Sequence, residues 1–166
     1  VAKLMKDCEN SDVKFILAGP IDEFSPTSIS EQEIRSLCKE CKVEYLGNRS
    51  DLNVLLSSAS IFILPSYYSE GVPKVLLEAA ASGTPVITTD HPGCRDAVID
   101  RETGVLVETR SAEAIKIAIT KMLDDHDSLI EMGKAGRRLA EDCFDEKKVV
   151  ATHLKIYHDY TDTVSY

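Results

Sequence analysis

Basic residues are in short supply in this 166-residue chain: 19 Lys and Arg stand against 28 Asp and Glu, a formal charge of −9 with a pI near 4.9. A nucleic-acid partner requires a basic face to neutralise phosphates, so that class is excluded. Long apolar runs are missing too, and none approaches the roughly 18 to 20 residues of a membrane-spanning helix. Val1 to Ser11 mixes charged side chains into every short apolar stretch, unlike a signal peptide. A start without Met, straight into helix-like sequence, predicts a fragment of a longer protein. Cysteines number five, and Cys38-Lys-Glu-Cys41 has CxxC spacing with no second pair to complete a zinc site. That pair ends a charged helical segment, where the helix dipole opposes a thiolate, so the reading is reduced thiols of a cytoplasmic protein. The four histidines are scattered, and His153 and His158 fall on different helix faces. No metal is expected.

What is present is an ordinary globular composition, 43% apolar, at a length that fits one domain spanning 1–166. Apolar runs of strand length alternate with helical patterns, which predicts stacked βα units around a parallel sheet buried on both faces. Strands are expected at Val13 to Ala18, Val43 to Leu46, Ile61 to Leu64, Pro85 to Thr88 and Gly104 to Val107. Ile21 to Ser30 reads as a loop, and Ser30 caps a helix to about Cys41, with Glu33 completing a capping box. Further helices are expected at Ser50 to Ala59, Lys74 to Ser82, Arg95 to Ile99, Ser111 to Asp124, Ser128 to Asp142 and Glu146 to about Tyr160. The fold class is therefore α/β, a doubly wound Rossmann-like parallel sheet of about five strands. In such folds ligands sit at the C-terminal ends of the strands, where helix N-termini point free amides at them.

The informative segment is Pro65-Ser-Tyr-Tyr-Ser-Glu-Gly-Val-Pro-Lys-Val-Leu-Leu-Glu-Ala-Ala-Ala-Ser-Gly-Thr-Pro-Val-Ile87. It leaves an apolar strand, turns through Gly71 and Pro73, and opens a helix of small residues. Gly71 lets a ligand approach the main chain, and the amides from Gly71 through Val72, Pro73 and Lys74 to Val75 would face it at the positive end of the helix dipole. A diphosphate suits that place. Glu78 is anomalous among Val75, Leu76, Leu77, Ala79, Ala80 and Ala81, because a carboxylate in apolar surroundings needs a partner. The vicinal hydroxyls of a ribose would serve, and so would Lys74 one turn back. Glu70 lies in the preceding loop and reads either as a group reaching beyond the phosphates or as a helix-capping acid.

This segment resembles the donor-binding motif of the family 4 retaining nucleotide-sugar glycosyltransferases (glycosyl transferases group 1), which have the two-domain GT-B fold. Their acid, seven residues and second acid stand here as Glu70 and Glu78. Further landmarks match in order: Leu17-Ala-Gly19-Pro20, Glu44-Tyr-Leu-Gly47, Gly83-Thr-Pro-Val-Ile87, Pro92-Gly-Cys-Arg-Asp-Ala-Val98, Thr103-Gly-Val-Leu-Val107 and Gly136-Arg-Arg138. The Pro92 to Val98 wording is most similar to branches that build bacterial capsule and other surface polysaccharides.

The resemblance implies a C-terminal domain holding a UDP- or GDP-sugar as substrate. The base would lie near Gly47, Asn48 and Arg49, with Gly19 on the same rim. Ribose would sit on Glu78, pyrophosphate on the Gly71 to Val75 amides, and the transferred sugar near the catalytic Glu70. It implies retaining transfer to a polysaccharide, lipid-linked or other acceptor, with no cofactor and no metal. It also implies a cytoplasmic protein, peripheral at the inner face of the membrane when whole. The family's basic Arg/Lys pair and its acceptor-binding N-terminal domain precede the first residue here, and Lys3 and Lys6 do not fit that pair. The isolated fragment would then be inactive. Its sheet, lacking the first strand, must close a gap, leave it open or borrow a strand. The last helix carries an apolar face of Val149, Val150, Leu154, Ile156 and Tyr157, whose exposure would favour self-association.

Two other classes compete with this reading. One is a non-catalytic sugar-nucleotide-binding or interaction module. The other is a dinucleotide-dependent Rossmann enzyme, which lacks support because no G-x-G-x-x-G opens a helix. Several lesser residues have bland readings beside sharper ones, a catalytic role for His91 among the latter. Arg95 meets a phosphate or sugar, or is solvated or paired with Asp96. His91 lies on the ligand side, Tyr67 and Tyr68 stack on a sugar or brace their loop, and Asp22 and Glu23 read as exposed.

Overall fold

The computed structural model describes residues 13–22, 28–68 and 71–163. The expected helical end at Val1 to Asn10, together with Glu23 and Glu70, lies outside the described residues. The elements run β1 (Phe15–Ala18), α1 (Glu31–Glu40), β2 (Val43–Gly47), α2 (Leu52–Ser58), β3 (Phe62–Leu64), α3 (Lys74–Ala81), β4 (Val86–Thr89), α4 (Pro92–Arg95), β5 (Gly104–Val107), α5 (Ala112–Asp124), α6 (His126–Cys143) and α7 (Glu146–Thr163). The short α4 begins earlier than its sequence suggested. Pro92 occupies its first turn, where the missing N–H costs nothing and the fixed φ favours a start.

All strand pairing is parallel, in two ladders: β1 with β2, and β3, β4, β5 in that order. Period-two alternation sorts the core. Val86 packs with Leu56, Leu76 and Ala79 on one face, joined by Phe62, Leu64 and Leu106. Its neighbour Ile87 packs with Ile115, Ala118, Ile119 and Met122 on the other, joined by Ile61, Ile63 and Val105. Every residue of β4 is buried, as a central strand covered by helices on both sides must be.

Between β1 and β3 the described residues form no ladder, so the expected sheet is interrupted there. Phe15 still packs against the Ile87 cluster, which seats the β1–β2 pair beside the larger ladder. Ile16 and Leu17, the middle residues of β1, are 44% and 45% exposed.

Local chemistry explains the element ends. Ser30 and Glu33 make the reciprocal capping box of α1, and the Ser30 hydrogen bonds hold the Glu33 carboxyl below its usual range. Helix α3 ends in a Schellman turn: Gly83, at φ 72°, donates to the Ala80 carbonyl, and Thr84 donates to that of Ala79. The Thr84 hydroxyl then reaches the Leu56 carbonyl at the end of α2. Cys38 and Cys41 are buried, and burial pushes the Cys38 thiol up, against a redox role. On α7 the residues Val149, Val150, Leu154, Ile156 and Tyr157 are all exposed.

Candidate functional site

Helix α3 opens without a side-chain cap. Its N-cap is Pro73, which offers no side-chain acceptor; the Leu76 amide donates to the Pro73 carbonyl at 3.0 Å, and no side chain caps the amides before it. Proline also has no N–H, which corrects the expected cradle: Gly71, Val72, Lys74 and Val75 can donate, and Pro73 cannot. A Cβ built on Gly71 meets nothing within 4 Å, so the chain's own packing does not require glycine there.

One turn into the helix, Glu78 meets Lys74, with Nζ and Oε1 3.2 Å apart. Its side chain is 38% exposed, so the apolar neighbours in sequence do not translate into a deeply buried charge. Helical geometry explains the difference: Leu76, Ala79 and Ala80 turn inward while Glu78 faces out into a groove between α2 and α3. The groove has a volume of about 640 Å³, within the usual range for small-molecule sites. Ser50, Asn53, Ser57, Glu78, Ser82 and, from α6, Arg137 line it.

The groove thus links Glu78 to the β2–α2 loop. Gly47 takes a left-handed turn at φ 67°, and its carbonyl accepts from the Gly19 amide at 2.9 Å, which brings those two predicted residues together. The Tyr45 hydroxyl donates to the Gly19 carbonyl at 3.2 Å. Arg49 grips both carboxylate oxygens of Asp51, at 2.7 and 2.5 Å. That grip holds the Asp51 carboxyl below its usual range and leaves α2 without a side-chain cap.

Arg95 pairs with Asp90, the residue after β4, and not with Asp96. The turn through His91 brings Asp90 back against the helix, and the pairing holds its carboxyl low. Tyr67 and Tyr68 stack on each other, with ring centroids 4.4 Å apart. Three further contacts escaped sequence reasoning. Arg137 donates to the Ala81 carbonyl at the end of α3, the Thr89 hydroxyl donates to the Ser66 carbonyl, and the Arg110 guanidinium lies over the Tyr67 ring. Only the Arg137 and Glu141 spacing on α6 carried a local signal, an i,i+4 pair. Among the described residues no group of three or more His, Cys, Asp or Glu could hold a metal ion, and no helix is long and apolar enough to cross a membrane.

Residues 1–139 match the sequence model of the family described as glycosyl transferases group 1. The chain belongs to that family. As a glycosyl transferases group 1 chain it is 34% identical over 158 residues to the N,N'-diacetylbacillosaminyl-diphospho-undecaprenol alpha-1,3-N-acetylgalactosaminyltransferase of Campylobacter jejuni, covering 94% of this chain and 39% of that protein. It is 30% identical over 149 residues to the capsular polysaccharide biosynthesis glycosyltransferase CapM of Staphylococcus aureus, covering 90% and 38%. Among solved structures, the sucrose-phosphate synthase of Thermosynechococcus elongatus superposes with a TM-score of 0.83 at 27% identity, over 98% of this chain and 42% of that one. HepE of Anabaena, solved in complex with UDP, superposes with a TM-score of 0.82 at 19% identity, over 97% and 44%, a likeness of fold. The chain spans about two fifths of the length of the relatives it matches. These superpositions support the Rossmann-like reading of the two ladders as one half-domain of a GT-B glycosyltransferase.

Proposed function

We propose that this chain is the donor-binding part of a retaining glycosyltransferase that moves a sugar from a UDP- or GDP-sugar to a polysaccharide or lipid-linked acceptor. The observation that carries the reading is the groove that joins Ser50, beside the Gly47 to Arg49 loop, to Glu78, one turn from the uncapped amides of α3. A carboxylate accepts only, and a ribose diol donates twice, so Glu78 suits the ribose once Lys74 releases it. Lys74 then turns its ammonium toward the diphosphate, beside the Lys74 and Val75 amides at the positive helix end. These donors act most strongly on the charge that grows on the leaving diphosphate as the glycosidic bond breaks, which lowers the barrier to transfer. Glu70 is assigned to the transferred sugar.

The relatives support this reading by what their names say of them: one transfers N-acetylgalactosamine to a sugar carried on diphospho-undecaprenol, and another serves capsule synthesis. In this proposal the acceptor domain and the basic Arg/Lys pair belong to the longer parent protein. That parent works in the cytoplasm, at the inner face of the membrane when its acceptor is lipid-linked. No metal takes part in the proposal.

Calorimetry with UDP, UDP-sugars and GDP-sugars on the wild type and Glu78→Ala tests it. Loss of a charged hydrogen-bond acceptor predicts about 10- to 100-fold weaker binding by the variant. No binding of any nucleotide at millimolar concentration overturns the donor assignment. Equal binding by wild type and variant removes Glu78 from it. Donor binding by a parent protein that transfers no sugar would favour the non-catalytic module.

A further inference from the structure

Three polar side chains at the C-terminal end of β4 keep hydrogen-bonding capacity that the fold leaves unspent. Asp90 follows the strand, and its amide still donates to the Val107 carbonyl of β5 at 2.7 Å, so the sheet fixes where it stands. Its carboxylate accepts through Oδ1 from Nε of Arg95. Among the described residues no hydrogen bond reaches Oδ2 of Asp90 or either Nη of Arg95. The half-buried His91 imidazole likewise has no hydrogen-bond or ion-pair partner among them.

The turn that displays these groups is built rigidly. Pro92 opens α4 with its φ fixed by the ring, Gly93 and Cys94 are buried, and the amides of Cys94 and Arg95 both donate to the His91 carbonyl, at 3.0 and 2.9 Å. The Asp90 and Arg95 side chains are 51% and 54% exposed, and an ion pair so open to water adds little to stability. What the turn offers outward is a carboxylate oxygen, guanidinium N–H groups and an imidazole on one fixed stretch of backbone.

Topology sets this turn beside the start of α3. Strand order β3-β4-β5 advances one strand at a time, so right-handed crossovers put α3 and α4 on the same face of the sheet. The core agrees: Leu76 and Ala79 of α3 pack with Val86 in one cluster with Cys94 of α4 and Leu56 of α2. Helix α2 leads into β3 and α4 leads out of β4, which places the Glu78 groove on one side of α3 and the Asp90 turn on the other. Neighbouring helices stand about 8 to 10 Å apart, a span that a diphosphate and the sugar ring on it cover.

We propose that Asp90, His91 and Arg95 form the subsite that reads the hydroxyls of the transferred sugar. The inference rests on the reading that a sugar nucleotide lies with its ribose on Glu78 and its phosphates at the start of α3. Such a nucleotide is a linear chain, so a ribose in the α2 groove and phosphates at α3 carry the sugar toward α4. A sugar hydroxyl both donates and accepts. Asp90 Oδ2 accepts from one hydroxyl of a vicinal pair, an Arg95 N–H donates to the other, and the His91 ring adds a donor or an acceptor beside them. Hexoses that differ in the orientation of one hydroxyl make different numbers of these bonds, and the turn selects among them.

Calorimetry and histidine-ring NMR on the 166-residue chain test the subsite, with UDP, UDP-glucose, UDP-N-acetylgalactosamine, GDP and GDP-mannose as probes. The chain has four histidines, and His126, His153 and His158, on α6 and α7, serve as references. The His91 ring signals should shift with whichever sugar nucleotide binds most tightly and stay in place with its nucleotide alone. Asp90→Ala should lower the ratio of sugar-nucleotide to nucleotide affinity about 10-fold, and Arg95→Gln and His91→Ala about threefold each. A merely structural role would weaken both ligands together, so an unchanged ratio overturns the subsite. Sugar-nucleotide binding without any His91 shift overturns it too. A shift as large with the bare nucleotide overturns the assignment to the sugar and moves His91 to the diphosphate. If no nucleotide binds at all, the donor reading itself falls and takes the subsite with it.

Discussion

Gly133 of α6 lies so close to Gly83 that a Cβ built on it would stand 2.3 Å from the Gly83 carbonyl oxygen. Gly83 is the left-handed residue that ends α3, so this contact sets how near α6 can come to the helix that carries Glu78. Neither partner can yield, because the atom met is backbone. Gly133→Ala is expected to cost ~2 kcal/mol through forced separation of the helices. For a domain of this size that lowers Tm by roughly 4 to 8 °C, measurable by calorimetry. A Tm within a degree of the wild type would refute the contact.

Lys74 and Glu78 separate stability from binding. Their ion pair is exposed and one turn apart, so Lys74→Ala should change stability by less than about 0.5 kcal/mol. The same variant should bind UDP about 3- to 10-fold more weakly, because the diphosphate loses a cation. Calorimetry of unfolding and of UDP binding, run side by side, checks both halves.

The capping box of α1 gives a pH-dependent stability. Ser30→Ala removes the acceptor for the Glu33 amide and should cost ~1 kcal/mol near neutral pH. Glu33 is held below its ordinary value of 4.5 by hydrogen bonds from Ser30. A carboxyl with a lowered folded-state pKa adds stability above its ordinary value and loses it as pH falls through the lowered one. The gap between wild type and variant should therefore be full at pH 6 and shrink below 4.5. Urea unfolding across that range measures it.

Thr89 anchors the loop in front of the candidate site. Its buried hydroxyl donates to the Ser66 carbonyl, and Thr89→Val keeps the shape while removing that hydrogen bond. A cost of ~1 to 3 kcal/mol is expected. Hydrogen exchange should quicken at 66–68 before it does in β4. Unchanged exchange there would mean that the hydroxyl does not hold the loop.

Much of this architecture was legible residue by residue. The short apolar run around Val86 and Ile87 marked a strand buried on both faces, and Ser30 with Glu33 spelled a capping box. Both signals are local, since a period or a three-residue spacing is visible without knowing what packs opposite. The pairing of Lys74 with Glu78 was weighed for the same reason. What stayed hidden came from chain reversals. Asp90 reaches Arg95 because the chain turns at His91. Arg110 meets Tyr67, and Gly133 meets Gly83, across elements far apart in the chain. The glutamate at 78 looked buried because its neighbours are apolar, yet a helix turns adjacent residues to different sides. Pro73 shows the opposite lapse: its missing amide could have been read directly.

The gap between β1 and β3 has a mechanical meaning. With no backbone ladder across it, the two-stranded and three-stranded parts are joined through side chains such as Phe15, packed against the cluster around Ile87. Packing yields gradually, whereas a ladder resists until it breaks. Among the described residues the β1–β2 unit, which carries Gly19 and Gly47, therefore meets the unit that carries Glu78 through side-chain packing alone.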